Sequence, residues 1–177
     1  MLGNGITHRL FVVVLGQNDH GKTTIIRGLV QQGQRREFDK VKRATRSLQS
    51  PWGRSVDALV IPRSYQETLR GEFGSIESSL ENVDSGWRER DLVVFPSHLD
   101  PTDCRTMIEL GHNAGFDVIC VAIRFLDDDL LNASDCLGLP WDRRWTLNNQ
   151  YSEQSTGQLL ALGNDLWSWV AAALANG

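Results

Sequence analysis

Six consecutive apolar residues, "LFVVVL" at 10–15, run directly into "GQNDHGKTT" at 16–24 and then into "IIRGLV" at 25–30. An unbroken apolar run suits a strand covered on both faces, as in a parallel sheet, whereas a half-buried strand would alternate. The residues beyond it change period. Ile25, Ile26, Leu29 and Val30 recur at helical spacing, and Gly33 offers a stop, so a helix is expected over 20–33. Strand, glycine-bounded turn and helix in immediate succession predict an α/β fold.

The rest of the chain extends that alternation. "VDALVIP" at 56–62, "DLVVFP" at 91–96 and "FDVICVAIRF" at 116–125 read as further strands. Between them, "SIESSLENVDSGWRERD" at 75–91 reads as a helix. "DPTDCRTMIELGHNAG" at 100–115 reads as another, with an Asp or Thr cap, a proline in its first turn and Gly115 at its end. Residues 153–175 form a closing helix with Leu159, Leu162, Leu166, Trp167, Val170 and Leu174 along one side. The order implies a three-layer α/β/α arrangement with a mostly parallel sheet, and the 177 residues fit one domain over 1–177. Segment 126–152, with "DDD", "GLPWDRRW" and "NNQ", reads as a functional loop holding at most a short element.

The turn fits the pattern GxxxxGK[ST], and each fixed position has a chemical reason. Gly16 and Gly21 sit where backbone must take positive φ or approach a phosphate closely. Lys22 is placed to reach the β- and γ-phosphates of a nucleoside triphosphate, and the Thr23 hydroxyl to ligate Mg²⁺. Thr24 either supports the loop by a hydrogen bond or touches the α-phosphate, and Asp19 and His20 are expected on the γ-phosphate side. The helix that follows points its positive end at the same charge.

Charge is unevenly distributed. The chain carries −4 overall, yet residues 27–54 contain eight basic residues against two acids. Such a segment can focus an anionic ligand on one face. It is read here as a candidate contact for a nucleotide or nucleic-acid acceptor, with Arg36 and Arg43 as contacts and Trp52 available for base stacking. The same stretch, "QRREFDKVKRATRSLQS", also reads as an exposed helix with few apolar anchors. Cys104, Cys120 and Cys136 are odd in number and widely spaced, which favours reduced structural thiols over a disulfide framework or a zinc site. No apolar run approaches bilayer length and no signal peptide is evident, so a cytoplasmic protein without a membrane partner is expected.

Over residues 10–32 the chain resembles the P-loop NTPase superfamily, and the resemblance implies that superfamily's fold with ATP and Mg²⁺ as cofactors. "DHGKTT" also looks like the loop of translational GTPases. The turns that such proteins need are missing: the only DxxG is "DCLG" at 135–138, which follows no strand, and no NKxD follows "VICVAI". The outline is closer to the nucleoside and nucleotide kinases. "PRSYQETLRGEF", beyond the second of the four strands read here, is similar to the thymidylate-kinase layout, in which an arginine there holds the acceptor. That likeness makes Arg63 and Tyr65 candidate substrate contacts. Within the same group, a viral DNA kinase acting on hydroxymethyl pyrimidines suits the basic stripe and compact size, and such a protein would work in host cytoplasm.

A transferase of this kind needs a carboxylate to accept the proton of the acceptor hydroxyl. Glu67 and Asp100 follow strand ends and are the candidates, while Asp57 precedes its strand and lies at the opposite end. Asp127, Asp128 and Asp129 are placed to help hold Mg²⁺ or to start a helix. Arg143 and Arg144, in "WDRRW", are placed to clamp phosphates or stack on adenine. The expected function is therefore transfer of the γ-phosphate of ATP to a hydroxyl. The alternative is a nucleotide-dependent switch with a protein partner, which the lack of an acid at the end of "DLVVF" would suit.

Overall fold

A computed structural model of the protein describes residues 8–17, 21–125, 131–149 and 155–176. Its centre is β1 (Leu10–Leu15), followed by α1 (Lys22–Gln34), an antiparallel hairpin of β2 (Ala44–Gln49) and β3 (Ser55–Val60), and a π-helical turn (Tyr65–Leu69) that continues into α2 (Arg70–Phe73). Next come α3 (Ile76–Val83), a 3₁₀ turn (Trp87–Glu89), β4 (Leu92–Ser97), α4 (Pro101–Asn113) and β5 (Asp117–Phe125). The chain finishes with α5 (Leu131–Leu137), β6 (Arg143–Asn149) and α6 (Thr156–Ala175). The six strands form one sheet in the order β2-β3-β4-β1-β5-β6, parallel except for β2.

Side-chain alternation along β1 builds two cores. Leu10, Val12 and Val14 point into a cluster shared with α1 and α6, while Phe11, Val13 and Leu15 point into another shared with α3 and α4. Every β1 residue is buried, which is why this strand shows no polar alternation. On the first face, α1 and α6 cross so closely that glycine is required on both. A Cβ on Gly163 would stand 2.1 Å from the Ile25 carbonyl oxygen, and one on Gly28 would stand 2.4 Å from that of Leu160.

Three expectations change here. The basic stretch contains an edge strand in place of an exposed helix. Leu48 is buried, the hairpin turns at Gly53 with φ +80°, and the Ser47 and Ser55 hydroxyls pair across it at 2.7 Å. A single apolar anchor with cationic and hydroxyl neighbours suits an edge, where charge discourages pairing with another chain. The segment read as a loop contains α5 and β6. Along β6 only Leu147 and Asn149 are fully buried, so its alternation is weak in the sequence. Gly33 does not end α1, which runs one residue further; a Cβ there would lie 3.0 Å from that of Leu48, so this glycine admits β2.

α4 begins and ends as expected. Asp100 caps it, Pro101 opens its first turn, and Gly115 follows with φ +79°. Cys104, Cys120 and Cys136 are buried free thiols, and burial pushes Cys120 up to about 12. No helix among the described residues is long and apolar enough to cross a membrane.

Candidate functional site

Parallel strands converge their carboxyl ends on one edge of the sheet. The connection after β1 leads to the β3 side, whereas the one after β4 passes through α4 to β5, on the other side of β1. A crevice opens where neighbouring connections diverge in this way, and ligands of open α/β sheets collect there.

The glycine-bounded turn occupies that crevice. Gly16 donates its N–H to the Ser97 carbonyl at 3.3 Å, which ties the start of the turn to the end of β4. Gly21 closes the turn with φ +81°, and a Cβ there would meet Leu159 Cδ1 at 2.7 Å, so both backbone and space demand glycine. Lys22 is 5% exposed and its ammonium arches back over the turn, donating to the carbonyls of Gly16 at 2.9 Å and Gln17 at 2.6 Å. Thr23 donates its hydroxyl to the Pro62 carbonyl at 3.0 Å, which couples α1 to the end of β3. Thr24 is half-buried. Among the described residues no side chain caps α1 and no acid stands in its first turn, so those residues place no counter-charge at its positive end. Asp19, His20 and the run Asp127, Asp128 and Asp129 lie outside the described residues.

Beside this turn, beyond β3, lies a cleft of about 570 Å³. Ile61, Pro62 and Leu69 give it an apolar floor, and Lys42, Arg43 and Arg63 give it a cationic rim. Arg63 is exposed. Arg43 makes two parallel bonds with Glu72, at 2.7 and 2.6 Å, and holds that carboxyl below its ordinary range. Of the two arginines expected from the basic stretch, only Arg43 lines this cleft. Arg36 sits over the Phe38 ring at 5.4 Å, on the connection after α1. Trp52 is exposed at the tip of the β2–β3 hairpin, at the opposite end of the sheet.

Tyr65 and the paired arginines are placed differently from expectation. Tyr65 is buried, and its hydroxyl donates to the Gly74 carbonyl at 2.5 Å, anchoring the π-helical turn. Arg143 and Arg144 open β6 in register with Ile119 and Cys120, whereas Leu15, the last residue before the turn, is in register with Ala122. Both therefore start nearer the amino end of the sheet. Arg144 donates to the carbonyls of Leu137 at 2.7 Å and Leu139 at 2.6 Å, which fastens α5 to β6. A hidden strand, with the arginines at its beginning, is the reason they do not reach the turn.

The acidic candidates are both engaged. Asp100 Oδ1 accepts from Thr102 N–H at 3.0 Å and Asp103 N–H at 3.1 Å, as a helix cap does. Glu67 Oε2 accepts from Ser64 N–H at 3.2 Å, while its Oε1 faces His98 Nε2 at 3.6 Å. Gln66 knits the two strand ends together. Its amide donates to Ser97 Oγ at 3.0 Å and Asp103 Oδ2 at 2.7 Å, and its oxygen accepts from His98 N–H at 3.1 Å. Arg70 adds a bond to Asp103 at 2.5 Å. Nothing in the sequence spacing marks Gln66 or Ser97, because their meeting depends on the π-helical turn. Asp57, by contrast, binds Arg90 at 2.7 Å at the amino end of β3, as its position implied.

Neither a protein-family model nor a curated protein matches the chain.

Proposed function

We propose that the chain has the P-loop NTPase fold and is an ATP-dependent phosphotransferase. In this reading it moves a γ-phosphate to a hydroxyl on a nucleotide or on a modified base in nucleic acid. The observation that carries the reading is the start of α1, with no capping side chain or first-turn acid among the described residues, fronted by Gly21 at positive φ and a buried Lys22. Backbone N–H groups and a buried ammonium are what a polyphosphate needs, and a helix beginning at a sheet crevice presents them together. Lys22 exchanges the Gly16 and Gln17 carbonyls for phosphate oxygens. The Thr23 hydroxyl, which donates to the Pro62 carbonyl, would be the residue to hold Mg²⁺, whose charge would neutralise the phosphates.

The acceptor binds in the adjoining cleft. An apolar floor with a cationic rim suits a flat base carrying a phosphate, and the exposed Arg63 is a cation on that rim. Radiolabelled γ-phosphate should appear on one of a panel of nucleosides, nucleotides and hydroxymethyl-pyrimidine oligonucleotides, and Lys22→Ala should abolish the label. Free phosphate as the sole product would defeat the transferase reading. The ending of β4 in Ser97, followed by His98 and not by an acid, favours a second reading as a nucleotide-dependent switch with a protein partner. Preference for GTP over ATP in binding would turn the choice that way.

A further inference from the structure

We propose that His98 is a positioning residue that holds Glu67 as the proton acceptor of this site. The inference rests on the nucleotide-binding part of the function proposed above and adds the group behind the base. Glu67 comes from the π-helical turn after β3, and His98 follows the last residue of β4, whose carbonyl receives the Gly16 N–H. Both therefore stand beside the turn that would hold the phosphates.

Three observations converge on the pair. His98 Nε2 is buried and has no hydrogen-bond partner among the described residues, with Glu67 Oε1 facing it at 3.6 Å. A buried polar nitrogen left unpaired is costly, and catalytic contacts in unliganded sites are often longer than in the reacting complex. Glu67 keeps 30% of its side chain exposed, so the carboxylate is reachable from solvent. Finally, the backbone is wound in a π-helical turn, a form common at functional sites, and this brings Gln66 and Glu67 together to the end of β4. Gln66 fixes the His98 N–H while Ser64 fixes the other Glu67 oxygen, so each partner has its own anchor.

In the step, the O–H bond of the acceptor breaks and its proton passes to the Glu67 carboxylate, which His98 holds in place. The acceptor oxygen bonds to the γ-phosphorus as the bond to the bridging oxygen breaks, and ADP leaves with that electron pair. Water can serve as the smallest acceptor, giving inorganic phosphate.

Fluorescent ATP binding and single-turnover phosphate release to water, measured on the full chain with Mg²⁺, test the pair. Glu67→Gln should slow release about a hundredfold, the low end for a positioned acid–base group, and His98→Gln about tenfold, because it removes only the support of that group. Nucleotide affinity should stay within about twofold, and the double variant should match Glu67→Gln alone, as coupled residues do. His98→Asn replaces His98→Gln if the latter does not melt cooperatively. Additive losses, an unchanged rate for the His98 variant, or an affinity loss that parallels the rate loss would overturn the assignment. Tight ATP binding by the unaltered protein without phosphate release overturns the pair and leaves nucleotide binding standing. Failure to bind ATP removes both.

Discussion

α1 and α4 begin at the carboxyl ends of neighbouring strands, β1 and β4, and meet the same electrostatic problem in opposite ways. Each exposes backbone N–H groups at a positive helix end. α4 satisfies its own with Asp100, which accepts two of them, and adds Asp103 in the first turn. α1 has Gly21 where a capping side chain would stand, no acid in its first turn, and a lysine folded over the approach. The difference teaches where an external anion would be favoured. One helix start is internally neutralised, and the other meets no capping side chain or first-turn acid among the described residues.

The largest expected effect breaks the comparison at α1 itself. Lys22→Ala should weaken ATP binding by at least about a hundredfold, a change of about 2.7 kcal/mol in titration calorimetry, while the melting temperature stays close to that of the parent. Gly163→Ala attacks the same helix from behind. Its methyl would collide with the α1 backbone, so the overpacking should destabilise the fold by about 1–3 kcal/mol in urea unfolding and weaken nucleotide binding with it.

Asp100→Ala sharpens the contrast from the other side. Loss of the cap should lower stability by about 1 kcal/mol and leave ATP affinity unchanged. An affinity loss there would mean that the two helix starts are not independent. A charge pair remote from both helix starts sets the lower bound. The Arg90 guanidinium, bonded to Asp84 at 2.8 and 3.1 Å, outweighs burial and holds that carboxyl below its ordinary range. A depressed carboxyl contributes stability above its unfolded value, about 3.9, and loses it as pH falls through the folded one. Asp84→Asn should therefore flatten the acid side of a stability–pH curve without changing nucleotide affinity.

What could be read beforehand follows from how local each signal is. β1, α1 and the cap of α4 announce themselves because the apolar period, the glycines and Asp100–Pro101 act within a few residues of one another. β2 and β6 were obscured because an edge strand needs few buried side chains, and Leu48 and Leu147 are nearly alone in supplying them. The same rule applies at the site. The turn holding Gly16, Gly21, Lys22 and Thr23 is marked within one short stretch of sequence, while the approach of Glu67 to His98 depends on a π-helical turn that no spacing rule signals. Tyr65 shows the reverse error: its position beyond a strand suggested a ligand contact, and its hydroxyl instead satisfies the Gly74 carbonyl inside the fold.

The Gly28–Gly163 crossing also bears on how the protein is made. α1 emerges before five of the six strands, but the surface it rests against belongs to α6, which follows all six. Contacts between such distant parts of a chain form late and slow folding. Leu159, which crowds Gly21, also arrives with α6. A nascent chain stalled before α6 would carry the glycine–lysine turn in its sequence and still lack the buttress that shapes it, so the turn should take its shape only once α6 has emerged.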